Sequence, residues 1–144
     1  MRPSLDEYFL AMLPLVASRG TCPRRKVACI LVDDKGRLAS MAYNGNAAGL
    51  PHCEVFPCTG APCRNGNRED CQAVHAEIAA ILQAAASRRE PKTAYCSLAP
   101  CKTCALALIS IGVKRVVALE RYKHDNDAGP ILLAQAGVKF EVAQ

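Results

Sequence analysis

The stretch "TAYCSLAPCKTCALALISIGVKRVVALE", Thr93 to Glu120, holds a strand, a helix and a second strand in immediate succession. Both ends are apolar runs of strand length, and Gly112 is placed to stop the helix between them. Two strands joined by a helix pair in parallel, inside a sheet that carries helices on its faces. The stretch therefore predicts an α/β fold, with strands at 93–98 and 114–119 and a helix at 101–111.

The same alternation continues on both sides of this stretch. We predict a helix over 127–136, a strand over 138–142 and, upstream, a helix over 75–88. Residues 27–43 predict a hairpin of two strands, about Val27 to Val32 and Arg37 to Tyr43, with a turn from Asp33 to Gly36. Strand and helix alternating at this spacing indicate parallel βαβ units and a sheet that is covered on both faces.

The N-terminal sequence "SLDE" is a capping box, with Ser4 as N-cap and Glu7 three residues on. It predicts a first helix that Pro14 kinks or shortens, because proline lacks the N–H that a helix interior needs. The residues expected to face inward are Leu5, Phe9, Met12, Leu13 and Val16.

Length and composition predict one globular domain over residues 1–144. The hydrophobic fraction is 51% and the charged fraction 22%, and no run approaches the ~20 apolar residues of a membrane span. Asp6 and Glu7 precede the apolar segment 9–17 where an export signal would carry positive charge, so a cytoplasmic protein is expected. A net charge of +5 suits a nucleotide, whereas few aromatic residues argue against a base-stacking platform; neither nucleic acid nor membrane is an expected partner.

Nine cysteines are the unusual feature of the composition. An odd number without an export signal favours metal binding or core positions over disulfides. Cys29 and Cys96 lie in apolar runs and are expected in the core. Residues 44–71 are rich in Gly, Pro, Asn and Cys, and a loop of this length is usually functional or cross-linked.

The sequence "PCKTC", Pro100 to Cys104, lies where a strand passes into a helix. Both sulfurs can belong to the first helical turn, where the helix dipole favours thiolate, the form that binds metal. Taken alone, this C-x-x-C is compatible with a zinc site, a redox dithiol or chance.

The sequence "HAE", His75 to Glu77, opens the preceding helix, and two adjacent parallel βα units bring their helix N-termini to one sheet edge. His75, Cys101 and Cys104 can then hold a tetrahedral zinc with one open position, which is typical of a catalytic site. Zinc there would turn a bound water into hydroxide, with Glu77 as proton carrier. The alternative makes His75 a helix cap and Glu77 a residue favoured by the helix dipole.

These two sequences match the H-x-E…P-C-x-x-C signature of zinc nucleobase deaminases. Together with "TCPRRKVAC", "AYNGNAAGLPHC" and "GVKRVVALERY", they make the chain resemble deoxycytidylate (dCMP) deaminases of the phage and bacterial type, from about residue 20 onward. The resemblance implies a three-layer α/β/α cytidine-deaminase-like fold with a mixed five-stranded sheet. It also implies hydrolysis of dCMP to dUMP and ammonia, with His75, Cys101 and Cys104 on zinc and Glu77 as the proton shuttle.

For the substrate, the resemblance implies that Asn44 hydrogen-bonds the deoxyribose hydroxyl and that the backbone of Ala76 reads the pyrimidine edge. Asn44-Gly45 is also an ordinary turn signal. Arg25 and Lys26 of "PRRK", with Tyr122, are the candidates for binding the 5′-phosphate.

The extra cysteines fit a second, structural zinc, which many members of that family carry. The matching ligands are Cys22, Cys53, Cys58 and Cys71, and either Cys63 or His52 could replace one of them. Such a site would hold the long loop to the helix that carries His75.

The segment 42–49 resembles the motif through which hexameric dCMP deaminases bind dCTP as activator and dTTP as inhibitor, with Mg²⁺. The residues implied are Tyr43, Asn44, Gly45, Asn46 and Gly49, so an allosteric homo-hexamer is expected. The sequence departs from the usual pattern of that family at Ala42, Ala79, Gln83, Ala28-Cys29 and Ala99. These departures bear on which effector nucleotide is preferred and not on the catalysed reaction.

Two other functions remain compatible with the sequence. A tRNA adenosine deaminase or a free cytidine deaminase shares the zinc motif, although "YNGNAAG" and the cysteine-rich insertion favour the dCMP enzyme. A zinc-stabilised binding module without turnover would have no need of Glu77.

Overall fold

The computed structural model describes residues 1–122 and 125–144, which form four α-helices and five strands. In chain order they are α1 (Leu5–Ala17), β1 (Ala28–Val32), β2 (Leu38–Tyr43), a short 3-10 helix (Arg68–Asp70), α2 (Ala76–Ala84), β3 (Thr93–Leu98), α3 (Lys102–Ser110), β4 (Arg115–Glu120), α4 (Ala128–Gln135) and β5 (Lys139–Val142). None of the helices within the described ranges has the length and apolar character needed to cross a bilayer.

The five strands form one mixed sheet in the order β2-β1-β3-β4-β5. β3, β4 and β5 are parallel, whereas β1 runs antiparallel to both β2 and β3. β2 and β3 are therefore parallel to each other, and α2 connects them by crossing over β1. This arrangement confirms the predicted α/β class and the mixed five-stranded sheet.

Helices cover both faces of the sheet, as the alternation predicted. On one face, α1 buries Phe9 and Leu13 against Ile30, Tyr95 and other residues of β1, β3 and β4. On the other face, α2, α3 and α4 enclose a larger core that includes Leu31, Leu108 and Leu133. Cys29 and Cys96 lie fully buried in that core, opposite each other on β1 and β3, as expected from their apolar surroundings.

Helix α1 begins with the predicted capping box, in which Ser4 and Glu7 exchange backbone and side-chain hydrogen bonds. Pro14 does not shorten the helix, which continues to Ala17. The prediction for Leu5 is wrong: its side chain is half exposed. Leu5 belongs to the first turn of α1, and its side chain lies against the β1–β2 turn at Gly36 instead of in the core.

Helix α2 is shorter than the 75–88 predicted, because the chain tightens after Ala84. The N–H groups of Ala86 and Ser87 bond to carbonyls three residues back, which ends the α-helical pattern. The other helices and strands lie within one or two residues of their predicted limits.

The core side chains that pack α2 and α3 on the sheet hold the N-termini of these two helices at one edge of it.

Candidate active site

The candidate site forms where α2 and α3 begin, beyond the carboxyl ends of β2 and β3. His75 is the N-cap residue of α2 and Cys101 that of α3, and neither side chain makes a capping hydrogen bond. Cys104 follows in the first turn of α3 and is buried. The His75 side chain is therefore not used as a helix cap, and its ring faces the two cysteines.

The three side chains converge closely enough to share one metal ion. Nδ1 of His75 lies 3.6 Å from Sγ of Cys101 and 3.4 Å from Sγ of Cys104. Bonds of about 2.0–2.1 Å to nitrogen and about 2.3 Å to sulfur, meeting at a tetrahedral angle, place those atoms about 3.5 to 3.6 Å apart. The donor set and its spacing thus fit zinc.

No other group of three or more potential metal ligands lies within 4.8 Å of one another in residues 1–122 and 125–144.

The protonation of the two cysteines in this ligand set also favours binding a cation. Hydrogen bonds from Cys104 and from His75 lower the pKa of the Cys101 thiol to about 4, against the effect of its burial. The interaction with Cys101 in turn raises the pKa of Cys104. Negative charge is therefore concentrated on Cys101, at a helix N-terminus that stabilises it.

Glu77 lies beside these ligands and is almost fully buried, with 4% of its surface exposed. Burial raises the pKa of its carboxyl group, while interactions with Cys104 and His75 oppose that shift. His75 has extended backbone angles and stands outside the helix, whereas Glu77 lies in the first turn of α2. The two side chains can therefore reach the same space although they are only two residues apart.

A cavity of about 280 Å³ opens in front of His75, Glu77 and Cys101. Among the predicted substrate residues, Asn44, Ala76, Arg25 and Tyr122 line this cavity. Lys26 is not among the lining residues, and its Nζ lies 3.4 Å from a carboxylate oxygen of Glu54.

The side chain of Asn44 is already engaged with the backbone that leads into β1. Its Oδ1 accepts a hydrogen bond from the N–H of Val27, and its Nδ2 donates to the carbonyl of Arg25, both at 2.8 Å. An amide group can still make further hydrogen bonds through its second lone pair and second N–H. Asn44 thus fixes the position of Arg25 at the cavity wall.

The sequence did not identify three charged residues that also line the cavity: Arg24, Arg68 and Glu69. Arg24 adjoins the predicted Arg25 and could have been included on that ground. Arg68 and Glu69 lie in the long irregular segment, where no periodicity indicates which side chains point inward.

The four cysteines predicted to form a second zinc site lie near one another. The N–H of Cys58 donates to Sγ of Cys53 at 3.2 Å, and the thiol of Cys71 interacts with that of Cys22. Burial raises the pKa of both Cys53 and Cys71. The four sulfur atoms do not converge as tightly as the first ligand set. Cys63, the alternative ligand, is exposed.

The segment 43–49, which the sequence assigned to an effector nucleotide, is held at several points. The guanidinium group of Arg19 lies 5.7 Å from the centre of the Tyr43 ring, and Asn46 donates to the carbonyl of Pro51. Gly45 pairs with Val74 through two backbone hydrogen bonds of 3.2 and 2.8 Å. The segment is thus hydrogen-bonded to the residue directly before His75.

Helix α4 packs against the turn that positions the cysteines of α3. A Cβ atom at Gly129 would lie 1.9 Å from the carbonyl oxygen of Pro100, so only glycine fits there. The buried first turn of α4 thereby covers the backbone of Pro100 and Cys101 from behind.

Comparisons with known proteins agree with this site. Residues 3–120 match the family model described as the cytidine and deoxycytidylate deaminase zinc-binding region. A deoxycytidylate deaminase of Saccharomyces cerevisiae is 35% identical over 136 residues, which are 92% of this chain and 43% of the yeast protein. One of Mycobacterium phage D29 is 34% identical over 122 residues, which are 81% of this chain and 94% of the phage protein. The chain thus spans less than half the length of the yeast relative.

Among solved structures, the dCMP deaminase of cyanophage S-TIM5 in complex with dCMP and dUMP superimposes with a TM-score of 0.79. The alignment covers 99% of each chain at 27% sequence identity. The three-layer fold that the sequence resemblance implied is therefore confirmed.

Proposed function

The chain belongs to the cytidine and deoxycytidylate deaminase family, as its motifs predicted, and from that membership we propose that it hydrolyses dCMP to dUMP and ammonia. The observation that carries the proposal is the buried carboxyl group of Glu77 beside a His-Cys-Cys ligand set, in the lining of a cavity that three arginines also line. This arrangement suits a small anionic nucleotide whose base reacts beside Glu77.

In this proposal His75, Cys101 and Cys104 hold a zinc ion, which when bound supplies the Lewis acidity that activates water near neutral pH. Glu77 performs the proton transfers. Its carboxylate takes one proton from the water and delivers it to the ring nitrogen of the pyrimidine, as the oxygen bonds to the ring carbon that carries the amine. It then takes the second proton from that oxygen and delivers it to the amine, which leaves as ammonia when its bond to the carbon breaks. Burial raises the pKa of this carboxyl group, which suits a residue that must both accept and release a proton.

Residues of the cavity wall would hold dCMP against Glu77. The backbone of Ala76 contacts the pyrimidine edge, Asn44 hydrogen-bonds the deoxyribose hydroxyl, and Arg25 with Tyr122 binds the 5′-phosphate. The position of these residues around one cavity supports the assignment. The phosphate role of Lys26 remains a prediction, with less support because Lys26 pairs with Glu54 outside the lining.

A second zinc held by Cys22, Cys53, Cys58 and Cys71 would connect the long segment to the chain just before His75. The proximity of these four thiols and the burial of three of them support this role. The closed four-sulfur ligand set is typical of structural zinc.

The regulatory part of the proposal is a cytoplasmic homo-hexamer of one-domain chains over 1–144, activated by dCTP and inhibited by dTTP with Mg²⁺. The effector would bind at Tyr43, Asn44, Gly45, Asn46 and Gly49. The hydrogen-bonded pair of Gly45 and Val74 supports a coupling to the active site, because any shift of this segment moves the residue next to His75.

Ammonia release from protein of known zinc content tests the catalytic proposal. The expected result is turnover of dCMP with little activity on cytidine or on a tRNA anticodon hairpin. Preferred turnover of either alternative substrate would replace the proposal with that activity.

A rate curve for dCMP, measured with and without dCTP plus Mg²⁺ or dTTP, tests the regulation. We expect a sigmoidal curve that dCTP shifts to lower dCMP concentrations and dTTP to higher ones. A hyperbolic curve that neither nucleotide changes would contradict it, as would a monomeric mass in solution by light scattering.

A further inference from the structure

Arg68 lies on the wall of the cavity that contains His75 and Glu77, yet it comes from the cysteine-rich segment rather than from the sheet. Its side chain is exposed and, among the interactions within residues 1–122 and 125–144, takes part in no hydrogen bond or ion pair. A guanidinium group that lines a cavity with all its donors available is suited to bind an anionic part of a ligand.

The neighbouring Arg24 has a different role, although it lines the same cavity. Its guanidinium group donates to the carbonyls of Gly60 and Gly66, at 2.7 and 3.0 Å. These carbonyls belong to the segment that carries Arg68. Arg24 therefore connects that segment to the approach to β1, and both hydrogen bonds use its Nη2.

Several contacts fix the backbone of Arg68 relative to the cavity. The side chain of Asn67 accepts a hydrogen bond from the N–H of Glu69 at 3.0 Å, and the carbonyl of Arg68 accepts one from Cys71 at 3.2 Å. Gly60 lies against the same turn so closely that a Cβ atom there would be 2.4 Å from the nitrogen of Cys71. The turn is thus held from both sides, while the side chain of Arg68 takes no part in holding it.

The charged side chains that line the cavity differ in burial. Glu77 is buried, whereas Arg25 and Arg68 are exposed. With Arg24 the lining carries three guanidinium groups, and Glu69 is its one other carboxylate besides Glu77, so this wall attracts anions. A nucleotide whose base reaches Glu77 would direct its phosphate toward these exposed arginines.

From these observations we infer that Arg68 binds the 5′-phosphate of the substrate together with Arg25, and so makes the enzyme select nucleoside monophosphates over nucleosides. This inference rests on the proposed dCMP deaminase activity. Arg25 then contacts the phosphate from the sheet and Arg68 from the cysteine-rich segment. Substrate selection would thus depend on a part of the chain that contributes no catalytic group.

Steady-state kinetics of Arg68→Ala and Arg68→Lys, on dCMP and on deoxycytidine, test the inference. Removing a charge-assisted contact to phosphate is expected to lower kcat/KM for dCMP roughly 10- to 100-fold, mainly through KM. The value for deoxycytidine should not change, and Arg68→Lys should lie between wild type and the alanine variant. Arg64→Ala is the matched control, because Arg64 lies in the same segment, is exposed and, within residues 1–122 and 125–144, uses its side chain in one hydrogen bond, to the carbonyl of Pro57.

Equal losses on dCMP and deoxycytidine, or no loss on dCMP, would overturn the inference. Titration with 2-deoxyribose 5-phosphate separates it from the proposed function, since this probe has a phosphate and no base to deaminate. Weaker binding to Arg68→Ala than to Arg64→Ala supports the anion site even if the wild-type protein does not deaminate dCMP. Equal binding to the two variants contradicts the site whether or not dCMP is deaminated.

Discussion

In the proposed reaction, the chemistry depends on the carboxyl group of Glu77. It is 4% exposed, and burial raises its pKa. A buried carboxylate destabilises a fold unless it is paired or has a function. Its position beside Cys104 and His75 explains why a carboxyl group is buried here, because in that position it can exchange protons with a reacting group.

Glu77→Gln is expected to reduce deamination of dCMP roughly 10²- to 10⁴-fold, because glutamine keeps the shape of the side chain but cannot transfer a proton. Zinc content should remain at the wild-type value, since no ligand is changed. The melting temperature should not fall, because the substitution removes a charge that is costly to bury.

The measurement is ammonia release, with zinc counted in the same samples. Wild-type turnover by a fully zinc-loaded variant would mean that Glu77 is not the proton carrier.

Among single residues, the sequence predicted the site residues that belong to a motif and missed those that belong to none. His75, Glu77, Cys101 and Cys104 stand at fixed spacings that only a few kinds of chemistry require, and they converge in the structure. Arg68 could not be predicted, because its position depends on contacts made by Arg24 and Gly60 that no periodicity encodes. Lys26 was predicted from its charge and from its place just before β1, and neither of these tells which way a side chain points.

At the scale of elements, α1 shows how little a helix depends on its own sequence once it is packed. Pro14 removes a hydrogen bond inside α1, yet the helix continues to Ala17. The burial of Phe9 and Leu13 against the sheet offsets that loss. Proline predicts a helix end from local geometry, whereas the end that forms also depends on tertiary contacts.

Leu13→Ala is expected to lower the free energy of unfolding by about 3 kcal/mol, because a fully buried leucine leaves a cavity. Leu15→Ala is the matched control in the same helix: Leu15 is 77% exposed, and the change should be within about 0.5 kcal/mol. Urea unfolding of both variants measures the difference. Equal effects would show that α1 is not packed on the sheet through Leu13.

The cysteine-rich segment is the other element with a testable role. Cys53→Ser is expected to remove the second zinc and to leave the catalytic zinc in place, whereas Cys101→Ser should weaken only the catalytic site. Cys63→Ser should change neither, since Cys63 is exposed. Zinc counted by atomic absorption decides between these outcomes, and a single equivalent in the wild-type protein would contradict the second site.

At the scale of the whole molecule, one polar network connects the helix on one face to three strands of the sheet. Asp6 accepts two hydrogen bonds from Arg115 and one from the hydroxyl group of Tyr95, and Arg115 also donates to Glu141. The bonds from Arg115 lower the pKa of Asp6 to about 2. The network thus joins α1 to β3, β4 and β5.

A carboxyl pKa that is lower in the folded state stabilises the protein above the unfolded value near 3.8, and this contribution is lost as the pH falls toward about 2. Asp6→Asn should therefore cost about 1 kcal/mol at pH 7, a modest value because the side chain of Asp6 is 38% exposed. The difference from wild type should shrink toward zero as the pH falls through this range.

Urea unfolding at several pH values measures this difference, and effects of acid that are common to both proteins cancel. Glu90→Gln is the control, because Glu90 is 86% exposed and lies 3.8 Å from Lys92. A difference between Asp6→Asn and wild type that stays constant down to pH 2 would contradict the role of the network.

The contact between Gly129 and Pro100 has a consequence for the tolerance of the chain to mutation. A side chain at position 129 would have to displace the backbone that carries Cys101, although Gly129 is not among the residues that line the cavity. In a library that samples every substitution, position 129 should therefore be as intolerant as the zinc ligands. At Gly137 an added Cβ would meet no neighbouring atom within 4 Å. Substitutions there should therefore reduce stability only through the strain of placing a side chain at a positive φ. Intolerance to substitution in this protein thus extends beyond the residues that take part in the reaction.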